Sequence, residues 1–100
     1  MMTPRFYAEH RELISPTRSQ VTVHGPLEIV MRAPPGLFTL AHFHRQGSKD
    51  NTDCRVTGTE DVRVTCALPS AGAYGVDLFS NNEPYGSYQY IGQVEANRED

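Results

Sequence analysis

Proline and glycine recur along this chain at short, regular intervals, and they limit the length of any helix or strand. The breakers are Pro16, Gly25–Pro26, Pro34–Gly36, Gly47, Gly58, Pro69–Gly72 and Pro84–Gly86. Intervals of about 8–12 residues between turn signals are typical of many short antiparallel strands. The segments between them alternate apolar and polar residues, most regularly from Val62 to Leu68. We therefore predict an all-β antiparallel sandwich with seven strands, at residues 21–23, 27–32, 37–44, 54–57, 62–68, 73–80 and 88–96.

A chain of 100 residues has the length of a single domain. We predict an N-terminal arm at 1–12, the sandwich at 13–96 and a C-terminal tail at 97–100. The net charge of −3 argues against a nucleic-acid partner, because phosphate binding needs clustered Lys and Arg. No apolar run has the length of a membrane-spanning helix, so we expect no membrane insertion. Because residues 1–5 lack the apolar stretch of a signal peptide, we expect a soluble, cytoplasmic protein.

The two cysteines, Cys54 and Cys66, lie twelve positions apart. They can form one bridge or pack as two buried thiols. Since no leader peptide is visible, we expect reduced thiols with a structural role in the core.

A tyrosine after a proline corner refines the expected type of sandwich. Leu68 to Val76 contains a strand end, a tight corner and then a strand that begins with Tyr74. In immunoglobulin-like sandwiches, a tyrosine at the start of the sixth strand hydrogen-bonds back to the upstream backbone. Val76 stands where antibody domains have a bridging cysteine, and the chain has no tryptophan. The pattern predicts an immunoglobulin-like sandwich without the antibody bridge; otherwise Tyr74 is a half-buried strand aromatic.

Three stretches, at residues 15–34, 68–80 and 85–94, resemble the immunoglobulin-like domain of kyphoscoliosis-peptidase-type proteins. Members of that family pair a transglutaminase-like Cys-His-Asp domain with accessory sandwiches that carry a similar Pro-x-x-Gly-x-Tyr…Tyr…Tyr pattern. The resemblance covers about residues 13–96, and its motifs are structural. It therefore implies an accessory or interaction domain and transfers no catalytic residue.

His42 and His44 are candidate metal ligands, because positions i and i+2 of a strand project from the same face. A third ligand from His24, Asp53 or Met31 would be needed to hold Zn or Cu. The alternative is an exposed polar face. We expect no cofactor, with a small metal-binding protein as an alternative function.

Other chemistry has weaker support in the sequence. A cysteine nucleophile paired with His42 or His44 is a further alternative, but neither cysteine opens a helix, where a thiolate is stabilised. Asp50, Asn51 and Asp53 offer oxygen ligands for Ca²⁺ without the spacing of an EF-hand, so solvated turn residues explain them better. We expect no catalytic residues and no enzymatic activity.

The segment from Asn81 to Tyr88 is the candidate binding loop. Tyr85 and Tyr88 supply rigid contact area, and Asn81 and Asn82 supply adaptable hydrogen bonds. We expect this loop, with the 33–36 turn at the same end, to bind a protein partner or a neighbouring domain of a longer chain. Carbohydrate binding by the same tyrosines and a plain turn are the alternatives. An edge strand at 21–23 or at 88–96 could pair with a strand of a second copy, so the sequence is also compatible with a dimer.

Overall fold

In a computed structural model, the protein consists of two β-sheets packed face to face. The structure describes residues 2–100. The expected all-β sandwich is confirmed, but it has nine strands instead of seven. Within the described residues the elements are α1 (Pro4–Ala8), β1 (Glu12–Ser15), β2 (Gln20–Val23), β3 (Leu27–Arg32), β4 (Phe38–Arg45), β5 (Thr52–Asp53), β6 (Arg55–Thr57), β7 (Asp61–Cys66), β8 (Gly72–Asn81) and β9 (Gln89–Arg98). The two additional strands, β1 and β5, are short and lack apolar alternation, so neither carries a sequence signal of its own.

The strands divide into a four-stranded sheet, in the order β1-β3-β7-β6, and a five-stranded sheet, in the order β2-β9-β8-β4-β5. Every neighbouring pair is antiparallel except β2 and β9, which run parallel. Within residues 2–100, no helix is long and apolar enough to cross a membrane.

The core lies between the sheets and follows the two-residue period of the strands. On β7, Val62, Val64 and Cys66 are buried while their neighbours are exposed or half-buried. Strand β3 alternates in the same way, and β8 contributes alternate residues from the other sheet. Each fully buried aliphatic side chain contributes about 1.5–3 kcal/mol, so this shared apolar layer is the main stabilising term.

Tyr74 forms the predicted corner at the start of β8. Its hydroxyl donates to the Ser70 carbonyl at 2.7 Å and accepts from the Arg45 guanidinium at 2.8 Å. Its ring is buried and meets Phe43 edge-on at 5.9 Å between centroids. Val76, two residues later, is also buried. The tyrosine is therefore a fully buried anchor of the corner, not a half-buried strand aromatic.

The expectation of reduced thiols is wrong, because Cys54 and Cys66 form a disulfide with their Cα atoms 4.6 Å apart. Cys54 follows β5, where the chain leaves the five-stranded sheet, and its N–H donates to the Ala41 carbonyl on β4 at 2.9 Å. Cys66 ends β7 in the four-stranded sheet and faces inward. The bridge thus joins the two sheets at the crossover, and both sulfurs belong to buried residues.

The segment before β1 packs on the sandwich through α1 and a buried arginine. Phe6 of α1 is part of the core. Arg11 is 4% exposed, and its guanidinium donates to Glu9 at 3.0 Å, Thr39 at 2.8 Å and Ser80 at 2.7 Å. These bonds satisfy the buried charge and tie the N-terminal segment to β4 and β8.

Replacing both cysteines by alanine should lower the free energy of unfolding by about 3 kcal/mol, because the bridge closes a short loop and restricts the unfolded chain. Urea denaturation of the parent and the double variant measures the difference. A thiol reductant should destabilise the parent alone. Two free thiols in the untreated native protein would contradict the bridge.

Substitution of Arg11 by alanine should cost about 3–5 kcal/mol of unfolding free energy, because it leaves the buried Ser80 and the half-buried Thr39 and Glu9 without this donor. Arg63 is the matched control, since its ion pair with Glu28 at 2.7 Å is exposed. Arg63→Ala should cost about 1 kcal/mol or less. Equal losses for the two variants would show that the buried network is not a stability determinant.

Candidate interaction face

The outer face of the five-stranded sheet brings together apolar side chains that are separated in the sequence. Leu40 on β4, Phe79 on β8 and Tyr90 on β9 lie side by side in the ladder. The Phe79 and Tyr90 rings meet edge-on with their centroids 5.9 Å apart. Leu40 and Tyr90 are 41% and 45% exposed. These residues form an apolar row that water covers in the isolated domain.

A polar row lies next to it on the same face. His42, Asp77 and Gln93 stand opposite one another on β4, β8 and β9. The His42 Nε2 lies 2.9 Å from Asp77 Oδ2, and the Gln93 amide donates to Asp77 Oδ1 at 3.1 Å. His44 Nδ1 lies 3.4 Å from the same Oδ2 atom. Asp77 is therefore the centre of the row and holds both imidazoles in place.

The two histidines project from the same face, as their spacing predicts, but none of the suggested third ligands completes a metal site with them. Met31 is buried in the core, on the side of the four-stranded sheet. Asp53 is nearer, because it pairs with His42 from the neighbouring strand β5. Within residues 2–100, no group of three or more His, Cys, Asp or Glu side chains is arranged to hold a metal ion. The sequence did not indicate Asp77, because it lies 35 positions from His42 and reaches it only through strand pairing.

The remaining candidates for chemistry lie apart. Both cysteines are in the disulfide, so a thiol nucleophile has no free sulfur in the described chain. Asp50 and Asn51 lie exposed in the β4–β5 loop, whereas Asp53 belongs to β5. The suggested calcium ligands are thus divided between a loop and a strand.

The binding loop between β8 and β9 is held by its own hydrogen bonds. The Asn81 amide donates to the Tyr85 carbonyl at 2.9 Å, and the Tyr88 hydroxyl donates to the Pro84 carbonyl at 3.1 Å. The Asn82 N–H donates to Asn81 Oδ1 at 3.0 Å. Tyr85 is 71% exposed, whereas Tyr88 is half-buried. The loop therefore presents Tyr85 to solvent on an ordered turn.

Strand β4 connects this loop to the apolar row. Phe38 pairs with Asn81 at the end of β8, so the preceding 33–36 turn lies at the same end as the binding loop. Phe38 is 38% exposed and shares the outer face with Leu40 by strand parity. We call this set the aromatic patch; it consists of the exposed residues Phe38, Leu40, Tyr85 and Tyr90 and the half-buried Phe79. Of these five residues the sequence predicts only Tyr85 as a binding residue, although the alternation within 37–44 places Phe38 and Leu40 on one face of a strand.

The outer face of the four-stranded sheet differs in character. Arg63 pairs with Glu28 at 2.7 Å. Arg32 lies between Glu12 at 3.7 Å and Asp61 at 3.5 Å. Opposite charges on neighbouring strands keep this face solvated. The aromatic patch has no counterpart there among the described residues.

No protein family and no curated protein sequence matches any part of this chain. The two outer faces and the loop are therefore the features from which a function is inferred.

The Tyr90 side chain reports on the surroundings of Asp77. Partial burial against the sheet raises the pKa of its hydroxyl above 10.0, and the Asp77 carboxylate raises it further. A group whose folded pKa is raised favours folding below its unfolded pKa. That contribution is lost as pH rises through the folded pKa.

Asp77→Asn should therefore lower the pKa of Tyr90 toward 10.0 without reaching it, because the substitution removes the carboxylate charge and leaves the ring partly buried. Ultraviolet titration of the phenolate, with Tyr90→Phe as the spectral reference, measures it. An unchanged Tyr90 titration in Asp77→Asn would exclude the electrostatic contact.

Proposed function

We propose that this chain is a non-catalytic immunoglobulin-like module whose five-stranded sheet binds a protein partner or a neighbouring domain. The observation that carries the proposal is the contrast between the two outer faces. One is covered by paired charges, and the other exposes the aromatic patch beside an ordered tyrosine loop. An exposed apolar patch with a polar border is typical of interaction sites.

The strand order supports the immunoglobulin-like assignment. In immunoglobulin constant-type domains, strands A, B, E and D form one sheet and strands G, F and C the other. When β2 and β5 are set aside and the other seven strands are lettered A to G in chain order, β1-β3-β7-β6 reads A-B-E-D and β9-β8-β4 reads G-F-C. The Tyr74 corner fits the same scheme. The resemblance of residues 13–96 to the accessory domains of kyphoscoliosis-peptidase-type proteins stays a prediction.

The geometry of the patch suits contact with another protein surface. Tyrosine and phenylalanine bury large areas with few rotatable bonds, and such residues dominate interface energetics. The hydrogen bonds from Asn81 and Tyr88 order the loop before binding, which lowers the entropy lost on association. Tyr85 would then be an anchor at the loop and Tyr90 an anchor on the sheet.

The disulfide indicates the kind of compartment in which such a module functions. Structural disulfides persist in oxidising compartments and are rare in the cytosol. The Cys54–Cys66 bridge therefore favours an oxidising compartment over the cytoplasmic placement that residues 1–5 suggested.

Photo-crosslinking can identify the partner. A photoreactive amino acid in place of Tyr85 should capture it, and the same residue in place of Arg63 on the opposite outer face should not. The captured protein is then purified, and its affinity for the parent is measured by calorimetry. Capture from Arg63 alone would place the interface on the wrong face and contradict the proposal.

Tyr85→Ala and Tyr90→Ala should each weaken binding of that purified partner about tenfold or more, because each removes a central aromatic anchor. Tyr88→Ala should weaken it less, since Tyr88 orders the loop from a half-buried position. Arg63→Ala is the control and should change the affinity less than about twofold. Unchanged affinity in both Tyr85→Ala and Tyr90→Ala would refute the assigned surface.

A further inference from the structure

We propose that a second site, a shallow groove at the opposite end of the same outer face, binds a neutral oligosaccharide. The groove crosses β2, β9 and β8, far along these strands from the 81–88 loop, and has a cavity volume of about 790 Å³. Its polar lining residues are Arg18, Gln20, Thr22, Gln46, Glu95 and Asn97. Neither the aromatic patch nor the binding loop contributes to it.

Small residues on β8 keep the floor of the groove low. Ala73, Asn97 and Thr22 stand opposite one another on β8, β9 and β2. Ala73 is exposed, so only a methyl group rises from the middle strand. At the next outward position, a Cβ on Gly75 would lie 2.8 Å from the Gln93 amide nitrogen. The polar row therefore closes the groove on that side, and the floor at Ala73 stays open.

The walls offer both hydrogen-bond donors and acceptors. The Gln20 amide donates to Glu95 Oε2 at 2.8 Å, which orients both planar groups across the parallel pair of strands. Within residues 2–100, the side chains of Thr22, Gln46 and Asn97 make no hydrogen bond. Two amides and a hydroxyl thus keep their full donor and acceptor capacity for a ligand.

Charge and polarity narrow the class of ligand. Arg18 and Glu95 cancel, so the groove does not have the cationic cluster that phosphate or nucleic acid requires. Lipids and drug-like molecules bind in deep, mainly apolar pockets, whereas this groove is shallow and mixes polar with apolar lining. The backbones of β8 and β9 are paired on both sides, so a peptide cannot add here as a strand on the floor. Side-chain amides and a hydroxyl on a surface with no net charge match the vicinal hydroxyls of a neutral sugar.

Titration of the protein with maltotriose, cellotriose and chitotriose, followed by amide NMR, tests the site. At least one of the three should give saturable shifts at Thr22, Gln46, Ala73 and Asn97. A dissociation constant on the order of 1 mM is expected for an open groove without an aromatic platform. The absence of saturable shifts for all three sugars at ten times that concentration would overturn the proposal.

Variants separate this site from the protein-binding surface. Gln46→Ala and Asn97→Ala should each weaken the sugar about three- to tenfold, the cost of one or two lost hydrogen bonds. Tyr85→Ala should leave sugar binding unchanged, although it disrupts the proposed protein interface. Sugar shifts confined to the 81–88 loop, or lost in Tyr85→Ala, would instead assign saccharide binding to the tyrosines. Shifts in the groove with an uncharged Gly-Ser peptide but with no sugar would show that the ligand class is wrong.

Discussion

The pairing of β8 with both β4 and β9 determines how the rest of this protein is arranged. The inward residues of β8, Tyr74, Val76 and Leu78, fill the core, while Asp77 and Phe79 of the same strand point to the outer face. A slip of one residue would exchange these two sets and place a carboxylate in the apolar layer. The Tyr74 corner resists such a slip because its hydroxyl fixes the start of β8. The register of β8 therefore determines both which residues form the core and which residues lie on the outer face.

Sequence reasoning found the elements whose evidence is local. The alternation in 27–32 and 62–68 is a property of each strand, and both strands form with the predicted side inward. Strands β1 and β5 exist only because β3 and β4 offer them an edge, and no periodicity within four or two residues indicates a distant partner. The Cys54–Cys66 bridge has the same origin, because it depends on where the chain crosses between the sheets.

The candidate site shows the same division between local and distant information. Strand parity placed His42 and His44 on one face, but the partner that they share comes from β8. Tyr85 was identified from its loop, whereas Tyr90 and Phe79 gained meaning only once their strands were neighbours. The contrast between a charged and an aromatic outer face needs the assignment of every strand to a sheet. A single sequence does not contain that assignment.

The parallel pair of β2 and β9 has a mechanical consequence. β2 lies near the beginning of the chain and β9 near its end, so a pull on the two ends acts on these strands in opposite directions along a common axis. Their hydrogen bonds stand across that axis and share the load, so they must break together, whereas an antiparallel hairpin opens one bond at a time. The β2–β9 pair therefore resists shear between the two ends of the sandwich more strongly than an antiparallel pair in the same place would.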